Sequence, residues 1–370
     1  ASRVPPAPPK SPIFKSYSNY NNNNRIYVHH ARSHFYHNGN QCIKTNRGGG
    51  NLNRFTPQET LPLRGILAIL IICTHFGPFY SPQWSLIDTW SWFGGPVVGC
   101  FFFLSGYGLA ISYIKKGNTY INSFLRKRFV KILPTFILMT LIAIAHNYFA
   151  YGTTPWQALI YLTKGITPLA TSWYIYVLIL FYLAFFFSAV ISKSPRLTGI
   201  SLIVFTLIYS VTLHKIGWGG WWISSTPSFI IGYYAASYQT EINSFLRRHA
   251  IIILPLAIIT LIGAAFAAHH HREIFQPLQT SAVSISVYLC LLFVKLPQNA
   301  ILKFLGSISY EIYLVQGFMF GFKWTLAPSL SLAVIFSTSI MGGWLLHRLF
   351  LRPNKTSTER HPDTNTLPGV

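Results

Sequence analysis

Ten long apolar runs, separated by short polar or basic stretches, govern what this chain can become. They fall near residues 62–80, 91–114, 131–151, 172–192, 197–213, 221–238, 250–268, 279–296, 304–322 and 329–350. Each comes close to the length a helix needs to cross a hydrocarbon core of about 30 Å. Inside that core only helices and closed barrels satisfy their own backbone hydrogen bonds, and uninterrupted apolar runs rather than alternating ones point to helices. Charged residues make up only 10% of the chain, against about 25% in an ordinary soluble domain, so a water-facing surface cannot be built from this composition. The expected fold is all-α: a polytopic membrane protein of about ten transmembrane helices. The fifth and sixth runs are short or interrupted by Gly and Pro, and WQALIYLTKGITPLA (156–170) is too polar to span and suits the interface.

Basic residues give the expected orientation. With the first helix entering from the cytoplasm, 25 of the 29 Lys and Arg fall on the inner side, and only Lys164, Lys215, Arg272 and Lys323 fall outside. This asymmetry follows the positive-inside rule and puts both termini in the cytoplasm. Residues 1–56 hold Pro-, Asn- and Gly-rich pieces without apolar periodicity and read as a disordered basic tail. Residues 57–352 form the membrane domain, and 353–370 a short cytoplasmic tail. The net charge of +22 is spread between apolar runs rather than along one stripe, which argues against a nucleic-acid partner. The four cysteines, Cys42, Cys73, Cys100 and Cys290, show no ligand-like spacing, so neither a disulfide framework nor a metal site is expected. HHHR (269–272) reads as a polar loop tip.

Within the first run, RGILAILIICTHFGPF (64–79) sets His75 eleven positions after Arg64. At about 100° per residue the two return to one helical face, roughly 16 Å apart along the axis. Arg64 then stands at the inner mouth and His75 near mid-bilayer, where a titratable group is costly and turns toward a cavity or a neighbouring helix. A neutral histidine bonded to another helix for packing satisfies the same rule. Later segments add FFFLSGYGL (101–109), LRKRFVKILP (125–134), TSWYIYVLILFYL (171–183) and SISYEIYLVQ (307–316).

Taken together these segments resemble the acyltransferase 3 family of integral-membrane acyltransferases. Arg64 and His75 match its Arg-x10-His; FFFLSG its second helix; the basic segment ending in Ile-Leu-Pro the one that precedes its third; Trp173-Tyr174 the aromatic pair opening a middle helix. Ser309-Tyr310 with Tyr313-Leu314 match a late Ser-Tyr-x-x-Tyr-Leu. The chain departs from the pattern in carrying Gln316 where the late motif commonly ends in His, and Lys131 where a second Arg usually follows Arg128. Lysine keeps the charge and loses the bidentate fork.

The resemblance implies a membrane-bound enzyme moving an acyl group, usually acetyl from acetyl-CoA, to a hydroxyl of a cell-envelope carbohydrate. It implies the bacterial plasma membrane, no permanently bound cofactor, and the lipid bilayer, acyl-CoA and a glycan acceptor as partners. Arg64, Arg126, Lys127, Arg128 and Lys131 form a basic collar able to hold the donor's phosphates, or one that only enforces topology. Arg64 and His75 are then expected to line one tunnel, the imidazole taking the acceptor hydroxyl's proton or forming an acyl-histidine. Glu311, the only carboxylate within a span, is a second catalytic candidate. Tyr310, Tyr313, Trp173 and Ser105 are substrate-binding candidates. Packing is the commoner role for such tyrosines, the aromatic belt the default for Trp173, and close helix contact the commoner one for Ser105-Gly106. A transporter or flippase and a catalytically inactive membrane scaffold are the rival readings.

Overall fold

The computed structural model describes residues 55–80, 93–322 and 326–350, without the side chains of 77–80 and 272–273. Most of the predicted N-terminal tail, the C-terminal tail, Cys42 and Lys323 lie outside the described residues. Every regular element among them is a helix. In chain order these are α1 (Leu61–Tyr80), α2 (Gly94–Lys116), α3 (Asn118–Tyr151), α4 (Pro155–Thr163), α5 (Trp173–Ser192), α6 (Pro195–Lys215) and α7 (Trp221–Ser224). There follow α8 (Thr226–Ser237), α9 (Gln239–Arg248), α10 (Ala250–His270), α11 (Arg272–Phe293), α12 (Ala300–Ser307), α13 (Ser309–Met319) and α14 (Pro328–Phe350).

Seven of these helices, α2, α3, α5, α6, α10, α11 and α14, are long and apolar enough to cross a bilayer. The chain is therefore a multi-pass membrane protein. Of the other three apolar runs, the first forms the 20-residue helix α1, and the other two are each divided into a pair of shorter helices. The sixth run breaks at Ser225 into α7 and α8, and the ninth breaks at Ile308 into α12 and α13. Such breaks free backbone carbonyls that lipid cannot satisfy, so side-chain hydroxyls take over. Thr226 Oγ1 donates to the Ile223 carbonyl at 2.8 Å, and Ser309 Oγ to the Gly306 carbonyl at 3.0 Å. The interfacial segment near 156–170 begins as α4, closed at its start by a capping box between Thr154 and Gln157. Its Trp156, Leu159 and Tyr161 are exposed, as an interface helix requires.

Burial orders the bundle. In α2, 67% of the apolar window is buried, against 6% in α10, so α2 is central and α10 presents Ile251, Ile252, Ile259 and Ile262 to lipid. The centre is held by backbone-to-backbone contact. A Cβ on Gly106 of α2 would lie 2.0 Å from the Phe229 carbonyl oxygen, and one on Gly232 of α8 2.1 Å from that of Phe103. Only glycine permits this approach, and it explains the Gly of FFFLSG as a packing residue. A second pair locks α1 to α12: a Cβ on Gly306 would meet the Leu61 oxygen at 1.9 Å, and one on Gly65 the Leu302 oxygen at 2.2 Å. That contact fixes Arg64, its immediate neighbour, against the helix that leads into α13. At the edge of the predicted tail, Phe55 is packed rather than free, its ring 4.9 Å from Tyr107 and 4.8 Å from Tyr288.

Candidate functional site

The basic segment that the sequence reading places before the third span is already helical, because α3 begins at Asn118. Helical spacing then sorts its charges. Arg128 and Lys131, three apart, turn to one face and line a cavity of about 560 Å³. Arg126 and Lys127 are exposed and stand outside that lining. Arg64 from α1 lines the same cavity, as do Ser105 from α2, Tyr174 and Tyr182 from α5, Tyr310, Glu311 and Tyr313 from α13, and His347 from α14. Arg128 is aimed by its neighbours: Nη2 donates to the Tyr120 hydroxyl at 3.1 Å, and the guanidinium lies over the Tyr182 ring at 5.6 Å. The Tyr310 hydroxyl donates to the Ile132 carbonyl at 2.8 Å, tying α13 to α3 at the cavity wall.

One ion-pair contact occurs among the described residues, between His347 Nδ1 and Glu311 Oε1 at 3.0 Å. Glu311 is 1% exposed, and its Oε2 is buried with no hydrogen-bond partner there. Arg64, Arg128 and Lys131 therefore converge on a cavity without a carboxylate of the described chain paired to any of them. Three cations around one space, none paired to a carboxylate among the described residues and the cavity's Glu311 taken up by His347, favour an anionic guest, and a guanidinium suits phosphate oxygens best.

His75 opens on a different cavity, of about 430 Å³. Thr74, Thr167, Thr171, Trp173, Trp221 and Gln276 are among its lining residues. Among the described residues its lining has no Lys, Arg, Asp or Glu, and it offers two indoles, hydroxyls and an amide. The imidazole is held from behind by the Gln316 side chain, whose Nε2 lies 3.2 Å and Oε1 3.4 Å from Nδ1. The Phe320 ring meets it edge-on at 5.9 Å. Helix directions agree with two separate ends. On α1 the chain passes from the cationic cavity to the His75 cavity; on α2 and α5 it passes the other way, from Gly95 to Ser105 and from Trp173 to Tyr182.

The single tunnel expected from the Arg64–His75 spacing is not what the structure contains. The two cavities share no lining residue. The helical stripe between the two side chains carries Leu67 and Ile71, 4% and 0% exposed, within the core cluster that also holds Tyr174 and Tyr313. Those two rings meet edge-on at 5.3 Å, and Phe102 packs against Tyr174 at 4.9 Å. The Tyr313 hydroxyl donates to the Thr171 carbonyl, so the partition has a cationic-side residue bonded to a residue of the His75 side.

Residues 63–348 match the family model described as an acyltransferase domain. The chain belongs to the acyltransferase 3 family. It is thus a multi-pass membrane acyltransferase by family and by its apolar helices. Neither a curated protein nor a solved structure matches it.

Seen within this family, the motif residues divide between the two cavities. Arg64, Ser105, Arg128, Lys131, Tyr310, Glu311 and Tyr313 surround the cationic one, while His75 and Trp173 surround the other. Ser105 and Gly106 divide the two roles weighed for them, the serine lining the cavity and the glycine making the helix contact. The sequence reading did not single out His347, Tyr182, Trp221 or Gln276. Intramembrane polarity could have flagged His347, but its neighbour Arg348 makes it read as an interfacial residue.

Proposed function

We propose that this acyltransferase takes an acyl group, acetyl in the simplest case, from acyl-CoA at the cytoplasmic face and delivers it to a hydroxyl of a cell-envelope carbohydrate. The observation that carries the reading is the pairing of cavities on one helix. Arg64 opens on a space lined by cations, and His75, on the same stripe, opens on one lined by indoles, hydroxyls and an amide. Coenzyme A brings phosphates, which suit the first. A sugar brings hydroxyls and a flat apolar face, which suit the second, with Trp173 and Trp221 available for stacking.

In the reaction, the His75 imidazole removes the proton from the acceptor hydroxyl as its oxygen attacks the thioester carbonyl carbon. The C–S bond breaks, the acyl group passes to the acceptor oxygen, and the coenzyme A sulfur leaves as a thiolate that takes up a proton. A general base of this kind contributes about 10²–10⁴-fold. Transfer requires the thioester to pass the partition, so Tyr174 and Tyr313 must turn aside during the cycle. Membranes holding the protein are given radiolabelled acetyl-CoA. Label in the glycan fraction that disappears with His75→Ala supports the reading. Label that persists at the wild-type rate, or acceptor flux without label, contradicts it.

A further inference from the structure

Gln316 is 0% exposed, and its amide lies against a single imidazole nitrogen, Nδ1 of His75. It is not among the residues lining the His75 cavity. With Nδ1 taken up by the amide, Nε2 is the nitrogen left for a guest of the cavity that His75 lines. An amide can do this in two ways with opposite consequences. With Oε1 turned to the ring it accepts from Nδ1–H, and Nε2 presents a lone pair. With its NH2 turned to the ring it donates to Nδ1, and Nε2 carries the hydrogen and can only donate. A base and a nucleophile both need the lone pair.

We propose that Gln316 is the positioning residue for His75: its Oε1 accepts the Nδ1 hydrogen and holds the tautomer whose Nε2 lone pair faces the Trp173 and Gln276 side. The inference rests on the reading of His75 as the group that activates the acceptor. It assigns a role to the position where this chain departs from the late family motif. A side-chain carbonyl oxygen is the part required, so a carboxylate at the same place serves and a thioether does not.

The test uses the full chain in lipid nanodiscs with 15N-labelled histidine, the His75 signals being identified by their loss in His75→Ala. In the wild type, Nδ1 appears as the protonated nitrogen and Nε2 as the unprotonated one. Gln316→Met, near in volume and without the amide, gives mixed tautomers and a kcat lower by about 10–100-fold, the scale on which partners orienting a working imidazole act. Its KM for acetyl-CoA stays unchanged, because the donor cavity is separate. Gln316→Glu, which presents only acceptor oxygens when ionised, keeps the wild-type tautomer and most of the rate. A wild-type ring protonated on Nε2 overturns the inference, as does a Gln316→Met variant with unchanged tautomer and rate. If Gln316→Met fails to fold, the wild-type spectrum decides alone. The stated tautomer in a protein that transfers no label supports the inference about Gln316 and counts against the proposed function instead.

Discussion

The proposed assignment of donor and acceptor to separate cavities predicts separate kinetic consequences for two substitutions on one helix. Arg64 stands with Arg128 and Lys131 around the cationic space, and none of the three has a carboxylate partner among the described residues. Removing the guanidinium in Arg64→Ala deletes charge-assisted hydrogen bonds worth about 1.5–3 kcal/mol. At about 1.4 kcal/mol per decade that weakens donor binding by roughly 10–150-fold. The loss appears in KM for acetyl-CoA, with kcat close to wild type, because ground state and transition state hold the same phosphates. Arg64→Lys recovers part of the loss, since it restores charge without the fork. His75→Ala behaves in the opposite way: kcat falls by about 10²–10⁴-fold while donor KM stays put. Initial rates at varied acetyl-CoA, with surface-expressed protein quantified for each variant, read both quantities. A His75→Ala variant whose donor KM rises as steeply as that of Arg64→Ala would refute the division of labour. So would an Arg64→Ala variant that loses kcat alone.

Trp173→Ala should raise KM for the glycan acceptor and leave that for acetyl-CoA unchanged, measured by varying each in turn. Gly306→Ala pushes a methyl to within 1.9 Å of a backbone oxygen on α1, and should destabilise the fold by about 1–3 kcal/mol, seen as a lower unfolding temperature in detergent. An unchanged transition there would contradict the backbone contact. His347→Ala leaves the buried Glu311 carboxyl without its one ion-pair contact and should cost about 1–3 kcal/mol. Glu311→Gln, which keeps an acceptor oxygen for His347, should cost less in the same unfolding assay.

Much of the architecture is local information and could be read from the chain. Apolar runs between basic loops locate the helices, because a bilayer admits few other solutions. The Arg64–His75 stripe follows from helical periodicity, and the glycine of FFFLSG from its small size beside aromatics. What the sequence hid comes from pairings between distant helices. Tyr174 and Tyr313 lie on α5 and α13, and nothing in either segment says that their rings meet at the wall of the cationic cavity. The break at Ile308 lies inside the ninth apolar run, close to Gly306, whose contact with Leu61 on a distant helix the chain pattern does not show. In sequence Gln316 is only a departure from the family motif, and the placement of its amide on the His75 ring comes from the packing of α13 against α1. Arg128 and Lys131 stand where the basic segment runs into the third apolar run, and the early start of α3 is what turns them to the same face.

The most direct test of the central claim, that donor and acceptor meet across a partition from opposite sides of the membrane, is a sidedness experiment. Sealed inside-out vesicles carrying the protein receive radiolabelled acetyl-CoA from the outside, which is the former cytoplasmic face. The account predicts acetylated glycan in the vesicle lumen for the wild type and none for His75→Ala. Label confined to the outer face, or luminal label that is indifferent to His75, would contradict it.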